Sequence, residues 1–146
     1  MRPLALAVVL PLLTLAGACT GPRVPPGVRA GASGPLTPAF QGMRSLLVRL
    51  AAPRSASDAA SLRAASPRVL EHGMGLLRST LPHDLREADE ARYLEGRAVF
   101  GEALKGWANA AGGSDDALLF DAYDRLVEAY WGWVDAYQGL PPERSV

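Results

Sequence analysis

The chain has 146 residues with 15 basic and 15 acidic side chains, so no charge excess points to nucleic acid as a partner. Apolar residues make up 49%, too many for a disordered chain, and the single cysteine excludes an internal disulfide. About 127 residues remain once a leader is set aside, enough for one core and too few for two.

That leader is residues 1–18: a short basic start at Arg2, an apolar run from Leu4 to Leu15, then Ala16-Gly17-Ala18 before Cys19. An apolar run of about twelve residues is too short to span a bilayer, which takes about twenty. Residues 19–36 hold Cys19 and a stretch rich in Gly and Pro with no helical period, the composition of a flexible linker. Helical periodicity begins at Thr37 and fades at residue 140. Residues 141–146 are a tail.

Small residues followed by Cys19 resemble the lipobox of bacterial lipoproteins. That resemblance implies cleavage before Cys19, acylation of its sulfur, and anchoring to a membrane facing the periplasm. Thr20, not Asp, follows the cysteine, which by the same resemblance favours the outer membrane. Ordinary secretory cleavage after Ala18 is the competing reading. It would leave a free thiol in an oxidising compartment.

Within 37–140, four segments carry apolar residues at spacings of three and four. The first opens with Thr37 as N-cap and Pro38 at the first helical position, carries Phe40, Met43, Leu47 and Leu50 inward, and stops at Pro53. The second runs from about Ser57 to Leu81 with Leu62, Ala65, Val69, His72 and Leu76 inward. Pro67 kinks or restarts it, and Gly73 and Gly75 offer places for a neighbouring helix to come close. The third, from about Asp84 to Ala111, turns Tyr93, Phe100, Leu104 and Trp107 inward and closes at Gly112-Gly113. The fourth is capped by Ser114, with Asp115 and Asp116 at its positive end, and carries Leu119, Tyr123, Leu126, Tyr130, Trp133 and Tyr137 inward. No strand signal is present. Short joints predict an all-α, up-down-up-down antiparallel four-helix bundle whose first helix is the shortest.

The helix count, the Met in the first helix, Phe100 on a long third helix and the Gly turn before an aromatic-rich last helix resemble the cytochrome c-prime superfamily. That family carries C-x-x-C-H on its last helix. Here Tyr130 and Trp133 stand at the cysteine positions and Val134 at the histidine. The resemblance therefore implies a periplasmic bundle without covalent haem, its slot filled by aromatic side chains.

Candidate ligands are few. His72 and Met43, both placed inward by spacing, could hold haem or copper non-covalently, whereas a hydrogen-bonded core histidine and a gap-filling methionine need no ligand. His83, the other histidine, falls at the start of the third helix, where solvent reaches it. The motifs G-x-S-x-G, H-E-x-x-H and the phosphate-binding glycine loops are absent, so no enzyme is expected.

Charge is split along the chain. Residues 19–81 hold eight Arg against Asp58 and Glu71, a net of +6, and residues 82–146 hold six basic against thirteen acidic residues, a net of −7. Either the two halves attract each other, or the basic half faces anionic lipid or an acidic envelope protein. The leading expectation is a lipid-anchored protein with a non-enzymatic binding or structural role. The alternative is a redox or ligand protein using His72 and Met43.

Overall fold

The computed structural model describes residues 36–80 and 87–138. The signal, Cys19, most of the linker, His83 and the tail lie outside the described residues. Among the described residues the chain is all-helical: α1 (Pro38–Ser55), α2 (Ala59–Leu77), α3 (Glu87–Gly112) and α4 (Asp116–Tyr137).

Pro38 occupies the start of α1, where a missing N–H costs nothing. The Thr37 hydroxyl makes no cap bond; instead the Gln41 side-chain amide donates to the Leu36 carbonyl at 2.8 Å. Pro53 does not stop the helix. It sits in the last turn, where only one backbone bond is forfeited, and the turn closes around it through Ala56 N–H to Ala52 O at 3.0 Å and Asp58 N–H to Pro53 O at 2.9 Å. Ser57, with φ 54°, makes the left-handed reversal. α1 is thus 18 residues, only one fewer than α2, and not the stub that a stop at Pro53 implies.

α2 begins at Ala59, two residues after the expected start near Ser57, and Asp58 caps it, accepting the Ser61 N–H at 3.0 Å. The helix runs unbroken through Pro67 and ends at Leu77, four residues short of the expected Leu81. Leu104 of α3 packs onto α2 at Gly73. A Cβ there would lie 2.7 Å from both Leu104 methyl groups, so the absent side chain admits the leucine. Gly75 has open space around it. On α4 the cap is Asp115, one residue later than the expected Ser114, and its carboxylate accepts from Ala117 and Leu118 N–H at 2.9 and 3.1 Å.

The most extensive helix contacts follow sequence order, α1 with α2, α2 with α3 and α3 with α4, and both α1 and α2 also touch α4. Along α3–α4, Tyr93 meets Trp133 and Tyr137, Phe100 meets Tyr130, and Trp107 meets Tyr123. Along α1–α4, Phe40 meets Tyr137 and Arg54 meets Phe120.

The core is aromatic at one end. Trp133 is fully buried, with Phe40, Tyr93 and Phe100 ring centroids 5.0, 5.4 and 5.4 Å away, so one residue of α4 gathers α1 and α3. The inward residues expected on α1, α3 and the body of α4 are all buried.

Candidate functional site

The two predicted ligand residues do not share an interior. Met43 is completely buried between Phe40 and Leu47 in the α1 core stripe. His72 is exposed, contrary to its expected inward position. Taking about 100° per residue, His72 lies about 60° round the helix from Val69, on a flank. That flank passes over Gly42, and the imidazole Nδ1 lies 3.2 Å from where a Gly42 Cβ would stand. Gly73 takes the buried position beside it. Among the described residues no group of three or more His, Cys, Asp or Glu is arranged around a common point that could hold a metal ion.

The run from Tyr130 to Tyr137 is occupied by side chains. Tyr130, Trp133 and Val134 are completely buried. The Tyr130 hydroxyl donates to the Phe40 carbonyl at 2.8 Å, and the Tyr123 hydroxyl donates to the Leu47 carbonyl at 2.8 Å. The two donors are seven residues apart on α4 and the two acceptors seven apart on α1, so one helical repeat is pinned twice. Burial pushes the Tyr123 phenol up to about 12 and raises that of Tyr130 as well. Both hydroxyls therefore stay protonated and able to donate at neutral pH. The indole N–H groups of Trp107 and Trp133 are buried without a hydrogen-bond partner.

Arginines of α1 and α2 reach α4. Arg54 forms a two-pronged pair with Asp124, at 3.1 and 2.7 Å, which raises the arginine pKa, and its guanidinium lies 4.9 Å from the Phe120 ring. Arg63 pairs with Asp116 at 2.7 Å and donates to the Gly113 carbonyl at 3.1 Å. Arg44 lies over Trp131 at 5.5 Å. The charge split of the sequence thus appears as contacts between the halves.

A concavity of about 1070 Å³ lies elsewhere, along the outside of α3 and α4. Small residues make its floor. On α3 they are Gly96, Ala103 and Ala110, seven apart; on α4 they are Ala122, Ala129 and Ala136, also seven apart. Gly96 sets the spacing of the helices, since a Cβ there would lie 3.0 Å from the Trp133 Cα. Gly106 and Gly132 face open space, so bare backbone is presented to an occupant. Val99 and Leu118 stand in the groove 53% and 59% exposed. Its charged lining is Glu95, Glu102, Asp115, Asp121 and Glu128 against Arg92 and Arg125.

Sequence reasoning missed this groove because it followed large apolar residues, which mark the core. The signal was present as a seven-residue recurrence of Gly and Ala on two consecutive helices. No protein-family model, curated protein or solved structure matches the chain.

Proposed function

We propose that this is a lipid-anchored protein of the bacterial envelope that binds a helical partner and catalyses no reaction. The observation that carries the reading is the α3–α4 groove: long, apolar, floored by small residues and open along its length. Such a surface takes a helix, because small residues let two backbones approach closely and seven-residue spacing matches a packed helix seam. The four helices are read as an up-down-up-down bundle. Supporting this, contact partners rise in number on one helix as they fall on its neighbour: Phe40 to Tyr137 and Arg54 to Phe120, or Tyr93 to Trp133 and Trp107 to Tyr123. The scaffold is read as a cytochrome-like bundle in which Tyr130, Trp133 and Val134 occupy the haem-attachment positions as core. The haem or copper reading through His72 and Met43 gains nothing from their separate placements.

The anchor is assigned to Cys19, the only thiol, following Ala16-Gly17-Ala18. Its outer-membrane location, facing the periplasm, is part of the same proposal. Two experiments test the reading. Cys19→Ser should move the protein from the membrane to the soluble fraction and remove an acyl mass from the mature chain. A photo-crosslinking residue placed at Val99 should yield adducts in cells, while one at the exposed Ala60 on α2 should not. No adduct at Val99 removes the binding role.

A further inference from the structure

Resting on that binding role, we infer that the occupant of the α3–α4 groove is α1 of a second copy of this chain, giving a head-to-tail assembly. The groove asks for three things of an occupant. It must be a helix with a narrow edge, carry a modest apolar knob, and be basic. α1 meets all three. Its outward edge is Ser45, Val48 and Ala52, all exposed, with Val48 43% exposed between two small residues. Its exposed charge is Arg49, since Arg44 lies over Trp131 and Arg54 pairs with Asp124 of the same molecule, and no acidic residue lies on it. Facing it, the groove has five carboxylates and two arginines. Glu102 is paired with Lys105 at 2.6 Å, but both side chains are more than 70% exposed, so the pair exchanges at little cost.

The lengths agree. α1 has 18 residues, about 27 Å, and the groove spans residues 92–113 of α3, about 32 Å. The same groove of a second copy is a poor occupant, because two acidic surfaces would then oppose each other. The chain also carries no net charge, so nothing at long range keeps copies apart. Donor edge and acceptor groove sit on different faces of one molecule. Each contact therefore leaves one edge and one groove free, and the assembly stays open until it is capped. Tethering to a membrane would raise the local concentration of both faces.

The test uses the mature chain carrying Cys19→Ser, so that acyl chains do not cluster it, and follows mass by sedimentation over a wide concentration range. The weight-average mass should rise beyond a dimer with concentration and fall back in high salt. Val48→Glu with Arg49→Glu removes the donor edge; Gly106→Arg blocks the groove at a position with open space. Each variant alone should be monomeric, with association weakened tenfold or more. Mixed together they should form a one-to-one dimer and nothing larger, because each supplies what the other lacks. Gly132→Arg serves as a second groove block should Gly106→Arg fail to melt like the parent chain. A monomeric parent chain, a closed dimer, or a mixture that fails to pair overturns the proposal. The Val99 crosslink separates the two readings: an adduct with a different protein and none with the chain itself defeats self-association while leaving the binding role, and no adduct defeats both.

Discussion

The two halves of the fold, α1 with α2 and α3 with α4, are built on different chemistry. α3 and α4 carry nine of the ten aromatic residues, and α4 has twelve buried residues among its 22. α1 and α2 contribute one aromatic, Phe40, and hold the two internal prolines, Pro53 and Pro67. The second half is therefore closed by ring packing and by Gly96 against Trp133. The first is attached to it by one ring, Phe40, by aliphatic burial, and by two tyrosine hydroxyls and two arginine–aspartate pairs. Ring packing supplies stability; directed polar bonds of small net energy decide which face of α1 meets α4. The lesson is that α4 is the organising element, and that the other helices are positioned by what they present to it.

The strongest way to break the comparison is to remove its centre. Trp133→Ala deletes a fully buried ring that touches Phe40, Tyr93 and Phe100. The expected cost is about 3–5 kcal/mol, measured by denaturant unfolding, with all four helices losing signal together. Leu76→Ala on α2, also fully buried, should cost less, toward about 2 kcal/mol, because fewer atoms are removed. Equal losses would erase the distinction between the two halves.

Next in size is the joint between them. Gly73→Val inserts a branched side chain where even a Cβ meets Leu104 at 2.7 Å. The obstructing atoms are the end of a leucine side chain, so it shifts at a cost of about 1–3 kcal/mol. Gly75→Ala, facing open space, should stabilise by roughly 0.5–1 kcal/mol through helix propensity. Opposite signs for two glycines two residues apart would confirm the phase of α2.

That phase shows how much was legible in the sequence. Tyr93, Phe100 and Trp107 recur every seven residues, and large side chains at that spacing have only one place to go. The core of α3 and α4 could therefore be read directly. His72 could not, because Val69 and Leu76 fit a stripe through either 72 or 73, and an imidazole looks more like a core residue than a glycine does. Only the approach of Leu104 decides between them. Pro53 is ambiguous in the sequence for a related reason: proline forbids one backbone bond, and whether that ends a helix depends on how many turns remain. The groove was invisible to a search for large apolar residues, since its content is their absence.

A smaller effect separates polar from aromatic attachment through pH. Tyr123→Phe removes the bond to the Leu47 carbonyl, which retains its place in the α1 backbone, so the loss should be about 1 kcal/mol at neutral pH. The sign of the pH dependence follows from burial. The phenol has its ordinary value near 10 when unfolded and about 12 when folded, so the folded state holds its proton more tightly. Stability from this group is complete below about pH 10 and is lost as pH rises toward about 12. Tyr123→Phe should flatten that decline in chemical unfolding curves measured across the alkaline range. An unchanged slope would mean the phenol is not held as described.

The smallest expected effect belongs to the Arg54–Asp124 pair, and it tests what the charge split is for. Its geometry is two-pronged, which favours it, but the side chains are 30% and 43% exposed, so solvent screens the attraction. A double-mutant cycle with Arg54→Ala and Asp124→Ala should return a coupling of about 0.2–1 kcal/mol, shrinking in high salt. The single Arg54→Ala change should exceed the coupling, because it also strips the guanidinium from the face of Phe120. If charge served stability, the coupling would rival the loss at Trp133. A small, salt-sensitive coupling instead assigns the pair a role in register: it fixes the C-terminal turn of α1 against the first turns of α4, as the two tyrosines fix the rest. The remaining exposed charges are then free of that duty, which leaves the basic edge of α1 and the acidic rim of α3 and α4 available for contacts outside the molecule.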